Sequence, residues 1–404
     1  MDRNKVDLRK KYMTGSRINI WKQDPTVKEL GVRTTFVHNK VDAGPGDSQI
    51  VIKGVPIIYP DSNGDFLFPT PVQYVVEDIN KPPKVTFEEK NFDAAHTYAV
   101  VRKVLIMFER VLGKKIKWAW NSKTNDDPLQ VYPHANLGRS AYYERDLKSI
   151  RFQYYYIPDH IPIFTCRSLD VVSHEMGHAV FDALKPGWST SEPRRGISLE
   201  IGAILESLAD LTSIFLILSQ LDLVEYIISE TKADLKYEKN ILAVWWEQLE
   251  EIGFMGPRSA INDFRLSEAG TQVHRISEVF TAAVYDTLAD IFASSREPDF
   301  RSDAETLYMI GQYMLSLIVK AVLKSPDTKV SFTDIVGEMM KITKETSRFD
   351  HAEIIRKNFM KREILKDDGQ IKHKIDLSTL IPDYKGCCAT LSSEHPSKTT
   401  IHDG

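Results

Sequence analysis

The sequence predicts an α+β protein with a sheet-rich N-terminal half and an all-helical C-terminal half. Residues 1–90 contain short alternating apolar runs separated by Pro, Gly and Asn, the pattern of β-hairpins. From residue 168 onward, apolar residues recur at helical spacing in several long segments. A chain of 404 residues, of which 42% are hydrophobic and 27% charged, is long enough to bury a large core.

The elements of the N-terminal half follow from local patterns. The turn DSNGD hints at a calcium loop, but Phe66 and Val72 stand where an EF-hand needs Gly and Glu, which favours a plain hairpin turn. The segment DAAHTYAVVRKVLIMFERVLG predicts a long amphipathic helix that begins at Asp93 and ends at Gly113. IKWAW and SIRFQYYYI alternate with period two and, with SAYYERD between them, predict strands of one antiparallel sheet.

The C-terminal half contains six predicted helices. They lie in DVVSHEMGHAVFDAL, GAILESLADLTSIFLILSQ, VHRISEVFTAAVYDTLADIF, SDAETLYMIGQYMLSLIVKAVL and two shorter segments that end near Leu365. The run from Leu211 to Leu221 has 11 uncharged residues, well short of the roughly 20 of a membrane span, and predicts a buried helix. The chain is accordingly divided into a β-rich segment, an α/β unit, a mainly helical unit and a flexible tail, at residues 1–90, 91–185, 186–384 and 385–404.

Charge and cysteine content narrow the function classes. A formal net charge of -4 and a pI near 6.3 give no general reason to expect nucleic acid or an anionic membrane as a partner. Cys166, Cys387 and Cys388 cannot form a disulfide framework. No apolar signal-peptide core is visible near the N-terminus, so we expect a cytoplasmic or non-classically secreted protein, with a processed secreted form as the alternative.

One helix carries a metal-binding pattern. His174 and His178 lie four residues apart, so on a helix both imidazoles point to one site, and Glu175 can reach a water there. The apolar flanks would bury both imidazoles, which is costly unless a metal satisfies them. A catalytic zinc needs a third ligand. Glu206, on the most apolar helix, fits that role, and Asp210 one turn later can hold a ligating histidine.

These segments resemble the thermolysin-like zinc metallopeptidases, a group of the gluzincins. DVVSHEMGHAVFD is similar to the family's zinc helix and GAILESLAD to its E-x-x-x-D helix. VHRISEVFTAAVYD resembles the helix with the catalytic histidine, and FDAAHTYAVVRKVLIMFE the helix that opens the catalytic unit. The resemblance covers roughly residues 60–365. It implies a sheet-rich N-terminal lobe with a long zinc-binding helix, a helical C-terminal lobe and an active-site cleft between them.

The implied activity is zinc-dependent hydrolysis of internal peptide bonds, with Zn²⁺ as cofactor and a peptide or protein as substrate. The resemblance places His274 as the residue that stabilises the oxyanion of the transition state. It also implies that Arg258 contacts a substrate carbonyl, and that Ala141 lies on an edge strand that pairs with the extended peptide. No nucleic acid partner and no membrane span are expected.

The chain departs from the family pattern at several positions. No tyrosine occurs from residue 179 to residue 205, where the family has an active-site tyrosine. Ser140 replaces the usual asparagine before the edge-strand alanine. The nearest acid to the expected partner of His274 is Glu268, offset by one position.

Two further departures concern calcium and the cleft. Asp170 matches a family calcium ligand, but Ile217 stands where another acid is expected, which leaves calcium binding open. The gap between the second histidine and the third ligand is longer by about eight residues than in the family. The extra residues belong to an inserted loop at 185–197, which we expect near the cleft.

Two other functions remain open from the sequence. An aminopeptidase would use the same chemistry, but the G-x-M-E-N segment of gluzincin aminopeptidases is not present. A zinc-stabilised binding or regulatory protein that no longer cleaves would explain the missing tyrosine and the insertion. Glu175 argues against it, because a purely structural zinc site needs no general base.

Overall fold

The computed structural model describes residues 15–27, 29–38, 40–189, 197–237, 240–245 and 258–366. These residues form a mixed α+β fold, as predicted. The helices are α1 (Phe87–Leu112), α2 (Leu169–Leu184), α3 (Leu199–Leu218), α4 (Leu221–Thr231), α5 (Val273–Ser294), α6 (Asp303–Lys324), α7 (Phe332–Glu345) and α8 (Phe349–Lys361). The strands are β1 (Ser16–Trp21), β2 (Val32–Val37), β3 (Ile50–Ile52), β4 (Leu129–Tyr132), β5 (Ala141–Glu144), β6 (Ser149–Phe152), β7 (Tyr154–Ile157), β8 (Ile161–Phe164), β9 (Val244–Trp245) and β10 (Arg258–Ser259).

The first described residues belong to the main core. β1 and β2 form an antiparallel hairpin, as the N-terminal pattern predicts, and β1 packs against α1. The DSNGD segment is a turn: Asp61 accepts hydrogen bonds from the main-chain nitrogens of Asn63 and Asp65, at 2.8 and 3.0 Å. One continuous apolar core runs from Ile18 to Leu365. The division of the chain at residues 90 and 185 stays a prediction, and the tail at 385–404 lies outside the described residues.

Helix α1 ends at Gly113 as predicted but begins earlier than Asp93. Thr86 caps its N-terminus in a capping box with Glu89, which satisfies two main-chain donors at once. Asp93 lies inside the helix, fully buried, where it accepts two hydrogen bonds from Arg167. The aspartate was therefore misread as a helix start.

The predicted antiparallel sheet is a mixed sheet with the strand order β3-β4-β6-β5. β4 lies parallel to β3 and β6, and only β5 is antiparallel to its neighbour. The segment IKWAW is irregular, so its assignment to a strand was wrong. Its main-chain nitrogens donate to side chains, Ile116 to Glu109 and Trp118 to Asn121. Alternating burial thus arises there without strand pairing.

The C-terminal half is helical where predicted, and it contains two further elements that were not predicted. β9 and β10 form a short antiparallel pair between α4 and α5, and α4 itself was not predicted. Helices α3 and α6 are long and apolar enough to cross a membrane. However, the most apolar 18-residue stretch of α3 is 100% buried inside the protein, and that of α6 is 61% buried. Buried core helices share this composition, so the described residues contain no clear membrane span.

The close contact between α2 and α3 depends on Gly177. A Cβ atom at this position would lie 2.8 Å from the Thr212 hydroxyl oxygen and 3.0 Å from the Ala209 Cα atom. Thr212 cannot turn away cheaply, because its hydroxyl also donates to the Leu208 carbonyl. Any side chain at Gly177 would therefore push the two helices apart.

We predict that Gly177→Ala lowers the free energy of unfolding by about 1–3 kcal/mol, because overpacking outweighs the helix propensity of alanine. Gly337→Ala on the exposed side of α7 is the matched control, because no atom lies within 4 Å of a Cβ there. The control should raise stability by about 0.5–1 kcal/mol. Urea unfolding measures both, and equal gains in stability would contradict the close packing.

Candidate metal centre

Three side chains from α2 and α3 converge on one point. The ligand atoms of His174, His178 and Glu206 all lie within 4.8 Å of one another. The two Nε2 atoms are 3.1 Å apart, and the Glu206 oxygens lie 3.5 Å from the first and 3.6 Å from the second. All three residues are at most 2% exposed. The helical spacing on α2 thus aims both imidazoles at the carboxylate of α3.

These distances fit a tetrahedral metal ion. Zinc bonds of about 2.0–2.1 Å at tetrahedral angles place the ligand atoms about 3.3 Å apart. The 3.1 Å between the two imidazole nitrogens is close to that value, and the distances of 3.5 and 3.6 Å run from these nitrogens to the two different oxygens of Glu206. Two imidazoles and one carboxylate are also a donor set found in catalytic zinc sites.

The protonation of the cluster depends on burial and on the two acids. Burial lowers the pKa of His178 to about 4, so this imidazole is neutral at pH 7. Burial also disfavours charge on His174, but Asp210 and Glu206 outweigh it and raise its pKa to about 9. Burial alone would raise the pKa of Glu206, yet the surrounding histidines hold it well below its ordinary value. A metal ion would compete with the proton of His174.

Asp210 supports the cluster from behind. Its Oδ1 atom lies 2.9 Å from Nδ1 of His174, so Nε2 of that imidazole remains directed at the cluster. Arg258 Nη2 lies 3.4 Å from the same oxygen, and Arg258 Nη1 lies 3.9 Å from Glu206. The guanidinium therefore offsets part of the negative charge of two buried carboxylates.

Glu175 lies beside the cluster and is fully buried. Burial raises the pKa of its carboxyl group to about 7, against the effect of His174 and of a hydrogen bond from the Tyr143 main chain. Because Tyr143 belongs to β5, this hydrogen bond joins one edge strand of the described sheet to α2. A carboxylate with such a pKa is suited to accept and release a proton near neutral pH.

His274 approaches the cluster from the start of α5 and is 8% exposed. Its Nδ1 lies 3.2 Å from Arg258 Nη1 with hydrogen-bond geometry, and 3.3 Å from a Glu206 oxygen. Nδ1 thus faces both a donor, the Arg258 guanidinium, and an acceptor, the Glu206 carboxylate, and a hydrogen bond from Arg258 requires the neutral tautomer with its proton on Nε2. That Nε2 atom is buried and has no hydrogen-bond partner among the described residues.

Three residues that the sequence places around the zinc site are Arg258, Ala141 and Glu268. Arg258 is buried, 5% exposed, and contacts His274 and the acids, so a direct contact with substrate stays a prediction. Ala141 lies on β5, one of the two edge strands in the described sheet order, while its pairing with a peptide stays a prediction. Glu268 accepts a hydrogen bond from the main chain of Arg265, whereas Nδ1 of His274 faces Arg258 and Glu206.

Two other acidic groups are explained without a metal. Asp170 accepts a hydrogen bond from Gln23 at 3.0 Å and belongs to no metal-ligand cluster among the described residues, so calcium has no support there. Asp93 forms a second cluster with His134 and Cys166. Both of its oxygens accept from Arg167, and that guanidinium would repel a cation.

Comparisons with known proteins add little. No family model matches the sequence, and no curated protein matches it. Among solved structures, the precursor of protealysin, a metalloproteinase from Serratia proteamaculans, is similar at a TM-score of 0.41 and 13% identity, covering 81% of this chain and 91% of that chain. A TM-score below 0.5 does not establish a common fold, so the functional assignment rests on the residues of the cluster.

We predict that Glu206→Gln abolishes stable metal binding, because it removes the only charged ligand of the three. Asp210→Asn should weaken zinc binding by about 10–100-fold, the usual effect of losing a group that orients a ligating histidine. Zinc content per chain, measured after dialysis against graded chelator, tests both variants. Glu268→Gln is the control and should bind zinc like the wild type. Full zinc content in Glu206→Gln would contradict the assignment.

Proposed function

We propose that this protein is a zinc-dependent endopeptidase that hydrolyses internal peptide bonds. The observation that carries the proposal is the convergence of His174, His178 and Glu206, whose ligand atoms lie within 4.8 Å of one another, with Glu175 beside them. A structural zinc site would be expected to have four protein ligands and no neighbouring general base. Three ligands leave one position open for chemistry.

A zinc ion held by these three residues would supply a Lewis acid for the scissile carbonyl and for the attacking water. Glu175 accepts the proton of that water and passes it to the leaving amine. Without a metal, burial raises the pKa of this carboxyl group to about 7, and a bound cation beside it would lower that pKa and favour the carboxylate that accepts the proton.

His274 stabilises the oxygen of the scissile carbonyl, and Arg258 acts through its hydrogen bond to His274. Arg258 donates to Nδ1 of His274, which leaves the Nε2 proton available for the developing oxyanion. Arg258 is therefore a positioning residue in this proposal, in place of the substrate contact expected from the sequence. The main chain of β5 pairs with the extended peptide and presents it to Glu175.

A zinc-stabilised binding protein is the second candidate. The burial of all site residues favours it, since His174, Glu175 and Glu206 are each 0% exposed. An endopeptidase would have to admit its substrate by a movement of the groups around the cluster. Hydrolysis separates the two functions, because only the endopeptidase turns over.

We predict that the zinc-loaded protein cleaves doubly blocked peptides, and that 1,10-phenanthroline abolishes the activity. Glu175→Gln should retain one zinc per chain and lose about 10²–10⁴-fold in kcat, the usual contribution of a general base. Cleavage is measured with a mixed-length peptide library and product identification by mass spectrometry.

Glu353→Gln, on the exposed side of α8 where Glu353 pairs with Arg356, is the matched control, and it should keep both zinc and turnover. Undiminished turnover in Glu175→Gln would refute the mechanism. Bound zinc without cleavage of any peptide would favour the binding protein. Cleavage of free but not of N-acetylated peptides would indicate an aminopeptidase.

A further inference from the structure

Residues 185–189, the described start of the inserted loop, join the two sides of the site. We infer that this crossing segment closes one end of the peptide groove along β5, so that a substrate extends only about two or three residues beyond the scissile bond on that side. The inference rests on the proposed peptidase function and specifies the substrate class: peptides cut close to one of their ends.

On one side the crossing segment is fixed to the turn between α6 and α7. Lys185 Nζ donates to the Ser325 carbonyl at 2.6 Å and to the Asp327 carboxylate at 2.7 Å. Trp188 Nε1 donates to the Pro326 carbonyl at 2.8 Å. Lys185 is only 4% exposed and Trp188 is fully buried. These bonds hold the segment firmly against the helical half.

On the other side the segment is fixed to the end of β5 through Asp182. This carboxylate, 3% exposed, accepts from the Tyr143 hydroxyl at 2.7 Å, from Arg145 Nε at 2.8 Å and from the Ser189 hydroxyl at 2.9 Å. Arg145 Nη2 also donates to the Pro186 carbonyl at 2.9 Å. A segment bound to both sides of a groove blocks a chain that would pass between them.

Two distances from Glu175, one along β5 and one along α2, set the length of the groove that stays open on this side of the scissile bond. Tyr143 bonds to Glu175 through its main chain, and β5 ends one residue later, at Glu144, directly before Arg145, so the open part of the strand is at most about 7 Å long. Along α2, Asp182 lies seven residues after Glu175, about 10 Å at helical rise. Both distances correspond to two or three residues of extended peptide.

The test is a peptide ladder cut by the zinc-loaded full-length protein. A common central sequence is extended by one to six residues on either side, and kcat/KM is measured from the products by mass spectrometry. We expect kcat/KM to fall by about tenfold or more beyond three residues on one side only, because a longer peptide must displace Lys185 or Trp188. Equal tolerance of long extensions on both sides would overturn the inference while leaving the peptidase assignment intact.

A variant pair tests the cause of the limit. Lys185→Met removes the bonds to the α6–α7 turn and keeps most of the buried side-chain volume, so long extensions should be cut better on the restricted side. Lys236→Met is the control for loss of a lysine ion pair outside the crossing segment, because Lys236, which is half exposed, pairs with Asp290 at 2.6 Å. If the wild type cuts long peptides poorly whichever side is extended, a higher kcat/KM for long extensions on one side only in Lys185→Met supports the inference, and an unchanged kcat/KM on both sides contradicts it. If no peptide is cut at all, the proposed function fails.

Discussion

The arrangement of the site depends on two carboxylates inside a helix that water does not reach. All 20 residues of α3 are buried, including Glu206 and Asp210. An ionised carboxylate in such a place is strongly destabilising unless cationic or hydrogen-bonding groups surround it. Arg258 supplies one positive charge for two negative ones. The remaining charge can come from a proton on His174, whose pKa, despite burial, the two acids raise to about 9, or from a metal cation that replaces that proton.

This charge requirement explains why distant parts of the chain meet at one point. α2 supplies the imidazoles, β10 supplies Arg258 and α5 supplies His274. His174 and Arg258 each lie close to both acids, and His178 and His274 lie close to Glu206. The close approach of α2 to α3 needs Gly177, because only a residue without a side chain lets α2 lie directly on Ala209 and Thr212 of α3. The polar cluster and the apolar packing therefore depend on each other.

The sequence predicted what helical spacing determines. Residues four apart share a helix face, so both the histidine pair and the pair Glu206 and Asp210 could be recognised. Contacts across long separations could not. Gln23 donates to Asp170 over 147 positions, and nothing local marks a glutamine for that role. The pairing of His274 with Arg258 instead of Glu268 likewise depends on how β10 is placed.

The polar residues of α2 show how one helix organises the site. Asp170, His174, His178 and Asp182 follow one another at every fourth position, and each step turns the side chain by about 40° around the axis. The first contacts the N-terminal part through Gln23, the middle two face α3, and the last holds the end of β5. A shift of α2 against any one partner would break contacts to the others. The histidine pair is thus held on a helix that three separate parts of the fold fix in place, and the same contacts fix Glu175, which lies between the two histidines.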